Sequence, residues 1–211
     1  MKEIPLSNGG FVKVDDLDYE LLIKFRWFRH VPDKKNHPDR AYAHRTTDNK
    51  PMHRFLLNLT SNFDGDHIDG NGLNNQRSNI RKATHLQNSQ NKRKSKTKKS
   101  SIYKGAFLYS RRTDRWVFER WYSTICVDGK KIVLGKYFSD EEAAHSYDIG
   151  ARKYFKRFAN VNFPNKTDAQ CRTFIKNAPI KRRKEELKKM LRENNLSGHY
   201  GKKSGPKKEV L

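Results

Sequence analysis

Cysteine is nearly missing from this 211-residue chain: Cys126 and Cys171 are the only two, and neither has a C-x-x-C partner. That usage supports neither a disulfide framework nor a cysteine-rich zinc site, and both read as packing residues. Long apolar runs are missing too. No stretch approaches the roughly 18 consecutive apolar residues that a membrane-crossing helix needs. Met1-Lys2-Glu3-Ile4-Pro5 does not open a secretory signal, so the expectation is a cytoplasmic protein with no membrane partner. Acidic residues are scarce: 23 Asp and Glu stand against 46 Lys and Arg, a formal net charge of +23. A soluble chain so unbalanced usually meets a polyanion, and nucleic acid is the first candidate. The deficit is also local, because the interval between Asp69 and Asp114 holds no acid but twelve Lys or Arg. What is present is a hydrophobic share of 34%, with twelve Phe, nine Tyr and three Trp, enough for two small modules with modest cores.

The patterning predicts an α+β protein. In residues 1–50, an N-terminal β-rich α+β extension, Ile4-Pro5-Leu6 and Phe11-Val12-Lys13-Val14 flank Ser7-Asn8-Gly9-Gly10, which suits a hairpin turn. Asp15 or Asp16 caps a short helix with Tyr19, Leu22 and Phe25 on one side, and strand-like runs follow over 26–31 and 40–46. Segment 51–92 opens on a short helix with Pro51 in its first turn. From 63 to 91 it is rich in Asn, Gln, Gly and His and poor in bulky apolar residues, so hydrogen bonds or a metal must hold it. Residues 93–102 read as a flexible basic linker. In 103–164, strand-like stretches at 105–110, 116–127 and 131–138 surround the Asp128-Gly129 turn. Ser139-Asp140-Glu141-Glu142 matches a capping box, and Ala144, Tyr147, Ala151, Tyr154, Phe155 and Phe158 form an apolar helical stripe. The picture is a three-stranded antiparallel sheet with one helix across it. Residues 165–211 read as a basic C-terminal helix, over 180–194 with Leu187, Met190 and Leu191 on one side, and a disordered tail.

Within the polar segment, Asp66-His67 is followed by Asn79 twelve residues after the histidine and Asn88 twenty-one after it, with Asn74-Asn75-Gln76-Arg77 between. Asp66-His67-Ile68-Asp69-Gly70, then Asn79-Ile80-Arg81-Lys82-Ala83-Thr84, then Gln87-Asn88, resembles the HNH nucleases, in particular their phage and intron-homing branch. The residue chemistry supports the same roles. Hydrolysis of a phosphodiester needs a base near the attacking water, and imidazole titrates near neutrality, which makes His67 the candidate. It also needs a cation, and hard divalent ions take oxygen ligands: Asp66 supplies a carboxylate and Asn88 an amide oxygen. With Asp66 as the one anionic partner, Mg²⁺ or Mn²⁺ held partly by the DNA phosphate is expected, and tight zinc is disfavoured. The resemblance implies a small ββα-metal HNH module in which Thr84 begins a helix and Asn88 faces the strand carrying Asp66. Asn79 then sits in the loop before that helix, where its amide ties down backbone near His67. His53 matches a recurrent residue of the family's upstream helix and either touches phosphate or belongs to a buried polar contact. Arg77, Arg81 and Arg93 are the expected phosphate contacts of this part, and His85 lies within reach.

In the second module the residues are Tyr103-Lys104-Gly105, Trp121, Ile125, Gly129-Lys130-Lys131, Leu134-Gly135-Lys136-Tyr137-Phe138, Glu141-Glu142-Ala143-Ala144, Tyr147-Asp148 and Asn160-Val161-Asn162-Phe163-Pro164. They resemble the plant ethylene-response-factor (APETALA-type) DNA-binding domain, whose sheet lies in the major groove. A twisted β-ribbon fits that groove, and a guanidinium fork binds guanine or phosphate bidentately. The resemblance makes Lys104, Arg111, Arg112, Trp121, Lys130 and Lys131 the DNA contacts, with core packing under the helix as the alternative for Trp121. The first hairpin carries a longer insert over 112–120 than that family's pattern.

The expectation is a metal-dependent DNA endonuclease of the homing or nicking type, leaving a 3′-hydroxyl and a 5′-phosphate. Its partner is double-stranded DNA with no small-molecule substrate, and the chain acts as a monomer or weak dimer in the cytoplasm of a bacterial host cell, encoded by that host or by a phage. Two alternatives stay open: a DNA-binding regulator whose HNH part is a non-catalytic scaffold, and an RNA-directed protein, because phosphate-dominated charge does not distinguish the sugars.

Overall fold

The computed structural model describes residues 1–35, 40–94, 100–112 and 117–179, together with 182 and 185. The chain opens with an antiparallel hairpin, β1 (Lys2–Pro5) and β2 (Phe11–Val14), in which Ile4 pairs with Val12. Helix α1 (Asp16–Leu22) follows, with Asp16 and Asp18 in its first turn, where the helix dipole favours negative charge. A second hairpin, β3 (Trp27–His30) and β4 (Tyr42–Arg45), leads to α2 (Met52–Leu56). A third, β5 (Asp64–His67) and β6 (Ile80–Ala83), leads to α3 (His85–Asn91).

The alternation along the first strands, with Ile4, Val12 and Val14 buried and Glu3 and Lys13 exposed, turns one face inward. That face joins Leu22, Trp27, Met52, Leu56 and Ile80 in one hydrophobic core. The expected boundary at residue 50 therefore has no counterpart in the packing, because 1–50 and 51–92 share that core. Trp27 is its largest side chain, edge-on to Phe25 and Phe55, and its indole N–H donates to the Leu22 carbonyl at 2.9 Å. Each such buried side chain contributes about 1.5–3 kcal/mol.

The Asn-rich loop between β5 and β6 is fastened to the N-terminal elements. The Lys13 amide donates to the Leu73 carbonyl and the Asn75 amide to the Lys13 carbonyl, both at 2.8 Å. Asp15 makes no side-chain cap bond to α1, although it occupies the N-cap position; its carboxylate accepts from Gln76 Nε2 at 3.1 Å and from the Arg77 amide at 2.7 Å. The Arg77 guanidinium pairs with buried Asp18 at 2.8 Å. Arg77, expected at phosphate, is thus engaged by α1.

The second unit is the antiparallel sheet β7 (Ala106–Arg112), β8 (Val117–Val127) and β9 (Lys130–Tyr137), in that order. Across it lies α4 (Asp140–Phe155), whose N-cap Ser139 accepts from the Glu142 amide at 3.2 Å. Ile125, Tyr147, Ala151 and Phe155 form the core between them, with Val127, Ile132 and Leu134 packed against it. Residues 168–179 form a further helix that the sequence reading lacked. Its signal was legible: Thr167 and Gln170 make a capping box, the Thr167 hydroxyl accepting from the Gln170 amide at 3.2 Å and Gln170 Oε1 from the Thr167 amide at 2.9 Å. This helix brings buried Cys171 to 3.3 Å from His145 Nδ1. Most of the expected helix over 180–194, the expected tail and part of the linker over 93–102 lie outside the described residues. No helix among the described residues is long and apolar enough to cross a membrane.

The start of the second unit is closed by a buried carboxylate. Asp148 accepts from the Asn162 and Phe163 amides at 2.8 and 2.7 Å, and Asn162 in turn brackets Lys104, accepting from its amide at 2.7 Å. Gly105 follows at φ +78°, where a Cβ would lie 1.9 Å from the Tyr147 ring. Gly105→Ala therefore combines a disfavoured φ with overpacking, and should lower unfolding free energy by about 2–3 kcal/mol in urea titration.

Candidate active site

Pairing in the β5–β6 hairpin sets Asp66 opposite Arg81 and His67 opposite Ile80. Helix α3 starts at Thr84 through a second capping box, its hydroxyl accepting from the Gln87 amide at 3.2 Å while Gln87 Oε1 accepts from the Thr84 amide at 2.9 Å. Residues three apart share a helix face, and Asn88 and Asn91 both turn to β5. Asn91 Nδ2 donates to Asp66 Oδ1 and to the His67 carbonyl, each at 2.9 Å. Asn88 Nδ2 donates instead to Asp64 Oδ2 at 3.1 Å, which His85 Nδ1 also approaches at 3.2 Å. Asn88 thus faces the strand that carries Asp66, as expected, while the amide that meets the Asp66 carboxylate belongs to Asn91.

Asp66 is 4% exposed. Its Oδ2 takes Arg81 Nε at 2.8 Å and Nη2 at 2.7 Å. The same guanidinium lies 4.1 Å from the Phe158 ring centroid and donates to the Arg157 carbonyl. Arg81, expected at phosphate, is therefore half-buried and engaged between the hairpin and the end of the α4 segment.

His67 is 5% exposed, with Nε2 3.4 Å from Asn75 Oδ1. Asn75 is fully buried, held by β2 through its backbone and by the Gly72 carbonyl through Nδ2 at 3.2 Å. The His53 ring meets His67 edge-on, centroids 4.8 Å apart, and Tyr42 covers both at about 6 Å. Burial holds the His67 pKa below the ordinary 6.5, outweighing the opposite pull of Asn75, Asp69 and Asp66. Burial, reinforced by repulsion from His67, pushes His53 down to about 3. Both imidazoles are neutral at pH 7. His53 fits the buried alternative of its two sequence readings: it packs behind β5 at Gly65, where a Cβ would lie 2.1 Å from its ring.

Asn79 closes the loop behind His67. Its Oδ1 accepts from the Asp69 amide at 3.0 Å, and its Nδ2 donates to Asp69 Oδ1 at 2.9 Å and the Asn74 carbonyl at 2.8 Å. Burial raises the Asp69 pKa, but donors from Asn71, Asn74 and Asn79 outweigh it and hold the carboxyl below its ordinary value.

Asp66, His67, Asn88 and Asn91 line a cleft of about 310 Å³ with Arg40, Lys92, Arg93 and Lys94 around it. Arg93 donates to the Asp69 carbonyl. Among the described residues, no three His, Cys, Asp or Glu side chains are grouped to hold a metal. The oxygen donors of Asp66 and Asn88, one carboxylate already shared with a guanidinium, fit a loosely held hard dication and do not fit tight zinc.

The placements in the second unit are divided between the two faces of its sheet. Directly paired residues project to the same side. Trp121, paired with Leu108 and Tyr137, alternates with Ser123 and core Ile125 and so belongs to the helix side, as do Arg112 and Lys130 by their pairing with Val117 and Val127. Arg111 and Lys131 take the open side. Lys104 lies at neither face: its ammonium donates to the carbonyls of Gln90 at 2.8 Å and Lys92 at 2.7 Å, at the C-terminal end of α3, and burial lowers its pKa to about 8.

An uncharacterized HNH endonuclease of Acanthamoeba polyphaga mimivirus is 30% identical over 169 residues, covering 77% of this chain and 78% of that protein. This chain belongs to the HNH endonuclease family. An ethylene-responsive transcription factor of Arabidopsis thaliana is 41% identical over 76 residues, 34% of this chain and 17% of its own length. An AP2-like ethylene-responsive transcription factor of the same plant is 38% identical over 72 residues, 32% of this chain and again 17% of its own. The chain thus spans about a sixth of those plant relatives. No family model matches it, and no solved structure matches it significantly.

Within this HNH chain the Asp66–Arg81 pair carries a measurable cost. Arg81→Leu strands a buried carboxylate and should destabilise the fold by about 3–5 kcal/mol. Asp66→Asn added to it should recover most of that loss, and a double-mutant cycle on unfolding free energy reads the coupling.

Proposed function

We propose that the chain is a divalent-metal-dependent endonuclease that nicks double-stranded DNA, with His67 as general base. The observation that carries this reading is a buried, neutral imidazole beside Asp66 on the floor of a cleft surrounded by Arg40, Lys92 and Arg93. A neutral imidazole accepts a proton at pH 7, and water excluded from its other faces keeps it so. With Nε2 directed to the Asn75 carboxamide oxygen, the ring proton stays on Nε2 and Nδ1 is left to take the proton of the attacking water. The cationic surround binds the phosphate and lowers the cost of charge built up on it. Asp66 and Asn88 would hold the Mg²⁺ or Mn²⁺, which when bound neutralises the phosphate and the leaving 3′-oxygen. The second unit, whose residues resemble the plant ethylene-response-factor domain, adds DNA affinity outside the cleft. With one such cleft among the described residues, a single strand is cut per encounter.

A specific contact favours a second reading, a DNA-binding regulator on a non-catalytic scaffold: Arg81 already occupies one Asp66 oxygen. Cleavage of supercoiled plasmid separates the two. With Mg²⁺ or Mn²⁺ the wild type should produce nicked circles, EDTA should abolish this, and His67→Ala should slow it about 10²–10⁴-fold. Cutting by His67→Ala at the wild-type rate removes His67 from the mechanism, and no cutting by the wild type supports the regulator.

The lowered His67 pKa sets the pH profile. Protonation removes the base, and a depressed pKa delays protonation until the pH falls below the imidazole's ordinary 6.5. The acid limb of kcat/KM should therefore lie below pH 6.5, and a limb centred above it would contradict the buried, neutral His67.

A further inference from the structure

Asp64 and Asp66 stand two residues apart on β5, and side chains so spaced share one face of a strand. Helix α3 covers that face, because each carboxylate takes an amide from it: Asn88 Nδ2 donates to Asp64 Oδ2 at 3.1 Å and Asn91 Nδ2 to Asp66 Oδ1 at 2.9 Å. His85 Nδ1 approaches the same Asp64 oxygen at 3.2 Å from an exposed position. Asp64 is half-buried, precedes the Asp66-to-Asn88 pattern and has no part in the reaction described above. A carboxamide has one end that donates and one that accepts, and only its oxygen can ligate a hard cation. The two ends are alike in shape, so packing alone does not choose between them. A neighbouring carboxylate does choose, because when ionised it only accepts. Asn91 shows the outcome beside Asp66, where its Nδ2 goes to that carboxylate and to the His67 carbonyl. Asn88 lines the cleft with Asp66 and His67, yet its Nδ2 is drawn off to Asp64, and no hydrogen bond among the described residues engages its Oδ1.

We infer that Asp64 is a positioning residue for metal binding: by holding Asn88 Nδ2 it keeps that carboxamide from donating to Asp66 and leaves Oδ1 for the divalent ion. The inference rests on the proposed roles of Asp66 and Asn88 as oxygen ligands. Asp64 acts through Asn88 and is not itself a ligand. Partners that orient a ligand in this way change metal affinity about 10–100-fold when they are removed.

Binding of Mn²⁺ to the full chain, followed through the paramagnetic-resonance signal of the free ion, tests this without any cleavage. Asp64→Ala should weaken Mn²⁺ binding about tenfold. Asp64→Asn loses the same charge but keeps an oxygen that can accept from Asn88, and should recover most of the affinity. With Asn88→Asp the ligand presents oxygen at either end, so Asp64→Ala added to that variant should cost less than about twofold. In the unaltered chain, Mg²⁺ should shift the side-chain amide resonance of Asn88 in an NMR spectrum, a readout that needs no variant to fold. Wild-type affinity in folded Asp64→Ala, an equal loss in the Asn88→Asp background, or a loss in Asp64→Asn as large as in Asp64→Ala would overturn the inference and leave the two ligands standing. An unmoved Asn88 resonance, or a wild type that binds no Mn²⁺, would overturn the ligand assignment and this inference with it.

Discussion

A single buried carboxylate organises the site. Asp66 is almost wholly buried, and an ion so placed is tolerable only with a charge partner and hydrogen bonds to its remaining lone pairs. Arg81 supplies the charge from the directly opposed position on β6, and Asn91 supplies the hydrogen bond from the last turn of α3. Hairpin and helix are therefore held at one carboxylate, and the capping box at Thr84 fixes where that helix begins. The guanidinium that neutralises Asp66 also faces Phe158, which follows α4. The electrostatic need of the cleft thereby extends to the second unit, and Lys104 adds a parallel joint by donating to carbonyls at the end of α3.

The loop between β5 and β6 meets its need for order differently. It has few apolar side chains to bury, so the polar side chains hydrogen-bond one another and the backbone. Asp69 receives Asn74 and Asn79, Asn79 receives the Asp69 amide, and Asn75 sits fully buried between the Gly72 carbonyl and His67. Such a network fixes geometry more sharply than apolar packing, because an amide left unpaired in the interior is costly. Its outer edge is secured by Asp15 and Asp18 of the N-terminal segment, which bind Gln76 and Arg77.

This division explains what could be read in advance. The hairpins around Ser7-Asn8-Gly9-Gly10 and Asp128-Gly129, the short helix after Pro51, and the sheet with its crossing helix follow from alternation and turn chemistry, which are local. The shared core of 1–50 and 51–92 was not legible, because Ile80 reaching Val12 and Trp27 is a long-range fact with no periodic signature. The same holds for the arginines. Acid-free sequence around Arg77 and Arg81 suggests free cations, yet their carboxylates arrive from Asp18 and Asp66, fifty-nine and fifteen residues away. Asn91 differs from Asn88 by three residues, a spacing that leaves both on one helix face, so only the tilt of α3 against β5 separates the two. The helix over 168–179, by contrast, carried a readable capping box at Thr167 and Gln170.

On the sheet, charge alone was a poor guide because it ignores parity. Choosing Trp121, Arg112 and Lys130 for their chemistry placed contacts on the helix side, whereas pairing with Phe107 and Tyr109 brings Tyr122 and Arg120 to the open side. One step of register along β8 is enough to exchange the whole set. The centre of the open face is given to aromatic surface, the rings of Phe107, Tyr109 and Tyr122, with Lys131 and Lys136 over them. Parity along β8, and not the number of cations, therefore decides which side chains the open face carries.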